Sequence, residues 1–115
     1  MFELKLTSGT IQLKWGYFAM KQFCAKHNLK PTEYFLMLSQ GDGILNYVTE
    51  FLLIGAEYAA AKSKSDRTFS EIEVCEWIDE AGGVKAEGVI MDYLKYVIAS
   101  HTTNLSEKEE AEKKS

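Results

Sequence analysis

The sequence predicts an α+β domain, mostly α-helical, in which an N-terminal β-hairpin is followed by about five helices in one compact unit. Three observations carry this. Two short stretches at the start alternate apolar and polar residues, the alternation gives way to a helical period at Gly16, and from there to residue 100 apolar residues recur at helical spacing between turn signals.

Phe2-Glu3-Leu4-Lys5-Leu6 and Ile11-Gln12-Leu13-Lys14-Trp15 each place apolar residues on every second position, so each has one face to bury. Thr7-Ser8-Gly9-Thr10 between them is a turn signal, and the hairpin is expected over residues 2–15. A hairpin is marginal alone and needs helices against its apolar face.

From Tyr17 to His27, the residues Met20, Phe23, Cys24 and His27 share one helical face. Asn28 suits the end of that helix, and Pro31 cannot continue it. Thr32 is then expected to cap a short helix through Leu38. Gly41-Asp42-Gly43 reads as a turn, too short for a phosphate cradle and not followed by Lys-Ser or Lys-Thr. Ile44 to about Lys62 forms the next helix, with only a narrow polar stripe of Asn46, Thr49, Glu50 and Glu57, and with Leu53 inside that stripe. A helix so apolar is either central in the domain or covered by a partner.

Lys62 to Arg67 reads as a solvated loop. In TFSEIEVCEWIDEAGG, residues 68–83, Ser70 and Glu73 make a capping box, and Phe69 with Val74 a hydrophobic staple. Val74, Trp77, Ile78 and Ala81 share one face, leaving Glu73, Glu76, Asp79 and Glu80 on the other. Glu71 sits in the first turn, where the helix dipole favours an anion. Gly82-Gly83 ends the helix, and Val84 to Ser100 is expected as the last one, burying Ile90, Tyr93, Leu94, Val97 and Ile98. The globular domain is thus placed at residues 1–102, with its helical core at 17–100. Residues 103–115 carry no large apolar side chain after Leu105 and are expected to form a charged, flexible tail.

With 46% hydrophobic and 12% aromatic residues, the chain has ample material for a core. A formal charge of −4 argues against nucleic acid as a partner, since such binders normally carry a basic surface. The longest apolar stretch, around Tyr47 to Ala61, is interrupted by Thr49, Glu50 and Glu57, so no membrane association is expected. Two cysteines do not make a disulfide framework, and Phe2 to Leu6 does not have the form of a leader; a reducing cytoplasm fits best.

The carboxylates of residues 71–80 lie opposite Trp77 and Ile78, on the side expected to face water, whereas acid–base catalysis needs two carboxyls converging on one cleft. They read as a solvated face, with docking of a partner as the second reading. Cys24 and His27 are spaced i, i+3, and with Cys75 and His101 they make a Cys2His2 set arithmetically, but only one close pair exists, and core packing accounts better for the group. His27 is also well placed to meet carbonyls at its helix end. No oxyanion or substrate motif accompanies a thiol nucleophile. No catalytic residue, metal or cofactor is therefore expected. Helix, Gly82-Gly83, helix has the outline of a helix-turn-helix, but the acidic preceding helix would repel phosphate. An adaptor or regulator built on that unit is the first alternative function, and a thiol or metal enzyme using Cys24, His27 and Cys75 the second.

The hairpin FELKLTSGTIQLKW, the following GYFAMKQFCAKHNL and the late TFSEIEVCEWIDEAGG, leading into a closing helix, together resemble the tail assembly chaperones of long-tailed bacteriophages and related prophages. Those proteins show an opening of the x-L-x-x-G-x-x-x-L-x-F/W kind and a late S/T-x-x-E-V-x-x-W/L-I/L-D helix. The resemblance spans roughly residues 2–100. It implies a non-enzymatic factor of the host cytoplasm that binds the tape-measure protein, helps recruit tail tube subunits and is absent from the finished virion. It also implies a longer frameshifted product, for which Lys113-Lys114 sits at a suitable place. A homo-oligomer is compatible with this. The resemblance transfers no contact residue. From the residues themselves, Leu53 is the candidate for apolar contact with a partner, and Glu73, Glu76 and Glu80 are the candidates for a polar docking face.

Overall fold

A computed structural model describes residues 1–113, with side chains described through His101. Two antiparallel strands, β1 (Phe2–Leu6) and β2 (Gly9–Leu13), precede six helices. These are α1 (Tyr17–His27), α2 (Pro31–Leu38), α3 (Gly41–Leu45), α4 (Val48–Lys62), α5 (Glu71–Glu80) and α6 (Val89–Lys113). The architecture is the mostly helical α+β one expected, with one more helix than the sequence suggested.

The hairpin pairs Phe2 with Leu13 and Leu4 with Ile11, so the apolar residues of both strands share one face, and Leu4 and Leu13 are fully buried. β2 stops at Leu13 rather than Trp15. Phe2 is already opposite Leu13, which leaves no strand for Lys14 to pair with, and its N–H instead donates to the Gly55 carbonyl of α4 at 3.0 Å. The ladder thus passes directly into the helical layer.

α4 is the central helix. β2, α1 and α5 pack on it, and it buries Phe51, Leu52, Ile54, Ala56 and Ala59. Its nearly all-round apolar character therefore has an internal explanation along most of its length. The core continues through Trp15, Phe23, Phe51 and Tyr34: Phe23 stacks on Phe51 with centroids 4.8 Å apart, and Trp15 lies 4.9 Å from Phe51. α6 closes the other side, where Tyr93 and Tyr96 meet Phe2 of β1 at 5.4 and 5.7 Å.

Helix boundaries also differ from expectation. Pro31 opens α2 at its first turn, where its missing N–H costs nothing, and Glu33 reaches back to the Lys30 N–H at 2.9 Å; Thr32 lies inside the helix and is not its cap. Gly41-Asp42-Gly43 is helical, forming the start of α3. Gly43 packs so closely on the Met37 carbonyl (2.9 Å from an ideal Cβ) that a side chain would collide there, so local packing overrides the poor helix propensity of glycine. The helix expected from Ile44 to Lys62 is accordingly two, separated at Asn46-Tyr47. Finally, α6 starts at Val89, not Val84. Both Gly82 and Gly83 take left-handed φ values (88° and 85°), and Gly88 accepts the first turn's bond from the Asp92 N–H. The connection between α5 and α6 is thus 81–88, longer than the turn of a helix-turn-helix.

α6 continues through Lys113, past Ser100 where the last helix was expected to end, so the backbone of the tail expected at 103–115 is helical to that point; its side chains lie outside the described residues.

Candidate functional site

The outer side of the α1–α4 contact is an open groove of about 620 Å³. Phe18, Ala25, Leu53, Ile54 and Tyr58 supply its apolar lining, and Gln22, Lys26 and Glu57 its polar edge. The groove follows from sequence spacing. Phe18, Gln22 and Ala25 lie at i, i+4, i+7 on α1, while Leu53, Ile54, Glu57 and Tyr58 lie at i, i+1, i+4, i+5 on α4. These are the flanks of two helices whose centre lines are already buried. The Phe18 ring meets Tyr58 at 5.1 Å yet stays 49% exposed, and neighbouring Tyr17 is 70% exposed. Lys14 places its ammonium over the same Tyr58 ring, 5.5 Å from its centroid.

Leu53, the residue singled out for apolar contact, is half-buried and lines this groove. It is partly covered because α1 lies beside the polar stripe: Lys26 of α1 bonds Glu50 of α4 at 2.6 Å. Sequence reading missed the α1 half. Phe18 lies off the buried face of its helix, and only the packing of α1 on α4 brings it to Leu53.

The acidic residues of α5 face outward, but two of the three named for docking already have structural work. Glu73 completes the capping box, accepting from the Ser70 N–H while its own N–H donates to Ser70 Oγ at 3.2 Å, and it also pairs with Arg67 at 3.4 Å. Glu80 accepts from Thr7 Oγ1 and Ser8 Oγ, both at 2.8 Å, and so ties the hairpin turn to the end of α5. Those hydroxyl donors hold the Glu80 carboxyl below its ordinary range. Glu76 is exposed and carries no such bond among the described contacts. The face is a solvated surface that doubles as a brace for the hairpin.

The thiols and imidazoles do not gather. Cys24 is half-buried on α1, and burial raises its thiol pKa, away from the thiolate a nucleophile needs. Cys75 is exposed on α5. His27 packs its ring on Phe23 and Tyr47 (4.7 and 4.9 Å) and points Nε2 toward Glu50 at 3.9 Å, so the expected contact with helix-end carbonyls is replaced by a core-edge packing role. Asn28, in the left-handed conformation, closes the helix instead. Among the described residues no group of three or more His, Cys, Asp or Glu is arranged to hold a metal ion. His101 is elsewhere again, with Nε2 2.8 Å from the Tyr34 hydroxyl. That hydroxyl accepts from the Trp15 indole N–H at 2.9 Å. The Trp15–Tyr34–His101 chain was not anticipated, because its members are separated by 19 and 67 residues and no local pattern links them.

No helix among the described residues is long and apolar enough to cross a membrane. Neither a family model, nor a curated protein, nor a solved structure matches this chain. The class supported by fold and site is a small, mostly helical α+β domain with an open surface groove of mixed apolar and polar lining.

Proposed function

We propose that this protein is a non-enzymatic chaperone of the phage tail assembly type, which holds apolar helical segments of a tape-measure protein in the bacterial cytoplasm and helps bring tail tube subunits to it. The observation that supports this most is the α1–α4 groove, where Phe18, Leu53 and Tyr58 offer a partner apolar surface over the buried Ile54, flanked by Lys26 and Glu57. An amphipathic helix laid in such a groove buries its apolar face while its polar face stays in water. Burial of one exposed aromatic or aliphatic side chain contributes about 1.5–3 kcal/mol, so a few such anchors suffice for reversible holding. The outward carboxylates of α5 suit the same reading, since a complex with a sticky client needs a charged exterior to stay dissolved.

Co-expression with the tape-measure protein of the same genome tests it. The wild-type chain is expected to raise the soluble yield of that protein several-fold. The double variant Phe18→Lys, Leu53→Lys, kept only if its circular dichroism and melting match wild type, is expected to lose that effect. Equal soluble yield with and without the wild-type chain would refute the proposal.

A further inference from the structure

We propose that the Tyr34–His101 contact is an acid-operated clasp between α2 and α6. The hydrogen bonds of this chain have fixed directions. The Trp15 indole N–H can only donate, and it donates to the Tyr34 oxygen. The Tyr34 side chain is fully buried, and the acceptor within reach of its own proton among the described residues is His101 Nε2. Every group in the chain is satisfied only if that nitrogen is bare, which makes His101 the neutral Nδ1–H tautomer.

Protonation reverses this. Imidazolium Nε2–H donates, so two donors then face one hydroxyl oxygen, and the Tyr34 proton has no acceptor left in an apolar surrounding. An unsatisfied buried donor is destabilising, because it has lost water and gained no partner. The surroundings offer the cation little help. From α2 it meets Tyr34 and the Phe35 ring, the latter 5.3 Å away and edge-on. On the other side of the Tyr34 hydroxyl stands Trp15, from the segment between β2 and α1, and the titratable groups that interact electrostatically with Tyr34 are Cys24 of α1 and Tyr93 of α6. No carboxylate lies within ion-pair distance of His101 among the described residues. Burial correspondingly lowers the His101 pKa from 6.5.

The sign follows from that direction. The unfolded chain takes up the proton first, so the clasp's stability is complete above pH 6.5 and is lost as pH falls through the folded-state titration of His101. Each unit of depression corresponds to about a tenfold difference in the unfolding constant.

An NMR titration of the full chain from pH 7.5 to 5.0 reads the clasp directly. Expected are a His101 ring whose 15N shifts mark Nδ1–H at neutral pH, a His101 midpoint below 6.5, and a Trp15 indole N–H resonance that moves with the same midpoint. In His101→Gln, whose amide oxygen still accepts from Tyr34, the fold is retained and the acid-induced movement of the Trp15 resonance disappears. A His101 midpoint at or above 6.5, an Nε2–H tautomer at neutral pH, or a Trp15 resonance that moves equally in His101→Gln would each overturn the clasp. Hydrogen exchange of the α2 amides supplies an independent reading: protection factors lower at pH 5.0 than at pH 7.5 in wild type but not in His101→Gln support it, and equal protection in both refutes it.

Discussion

Gly55 shows how much one missing side chain decides. A Cβ built there falls 2.0 Å from the Tyr93 hydroxyl, which crosses α4 at this point and donates to the Phe51 carbonyl at 2.6 Å. Gly55→Ala would favour the helix by about 1 kcal/mol, but it must displace a fully buried ring, and overpacking costs about 1–3 kcal/mol. Displacement also weakens the hydroxyl's bond, so net destabilisation is expected, seen as a lower midpoint in urea. Tyr93→Phe with Gly55→Ala should recover part of the loss. Glu80 offers a second test at this scale. Because Thr7 and Ser8 lower its pKa, the brace is present above the ordinary carboxylate value of 4.5 and is lost as pH falls through the folded-state value. In Thr7→Ala, Ser8→Ala the Glu80 side-chain carbon resonance is expected to titrate at its ordinary position.

At the scale of elements, α5 depends on both its ends. The Ser70–Glu73 box satisfies its first amides, and Ser70→Ala is expected to cost about 1 kcal/mol in chemical denaturation. Its other end turns through Gly82 and Gly83, both left-handed, with the Gly83 N–H bonded to the Ile78 carbonyl at 2.8 Å. A residue with a Cβ in that conformation costs about 1–2 kcal/mol, so Gly83→Ala, which meets no neighbouring atom, should be destabilised by that backbone term alone. Both signals were legible in the sequence, since capping chemistry is local. The start of α6 was not. Val84 continues the apolar count, but two left-handed glycines before it and Gly88 after it delay the helix to Val89. α2 and α3 likewise begin at Pro31 and Gly41, residues that usually mark breaks, because the first helical turn has no use for their missing N–H or side chain.

For the whole molecule, the chaperone reading places function in the groove between α1 and α4 and none in the sulfurs. Cys24→Ser with Cys75→Ser is therefore expected to leave client solubilisation within about twofold of wild type. Loss of that activity in a still-folded double variant would return attention to thiol chemistry.

Fold class, the hairpin, α1, the capped α5 and most of the buried face of α6 were within reach of periodicity, because each is written in contacts between residues a few positions apart; Ile98, expected on that face, is instead 38% exposed. The same local reading placed Leu53 inside a narrow polar stripe, and the structure leaves it half-buried beside α1. The partner of Leu53 across the groove, the crossing of Tyr93 over Gly55 and the Trp15–Tyr34–His101 chain came only from tertiary structure. Each joins residues far apart in the chain, and which helix flank meets which is settled by packing volume and hydrogen-bond satisfaction in the assembled core, where no short-range pattern in the sequence records it.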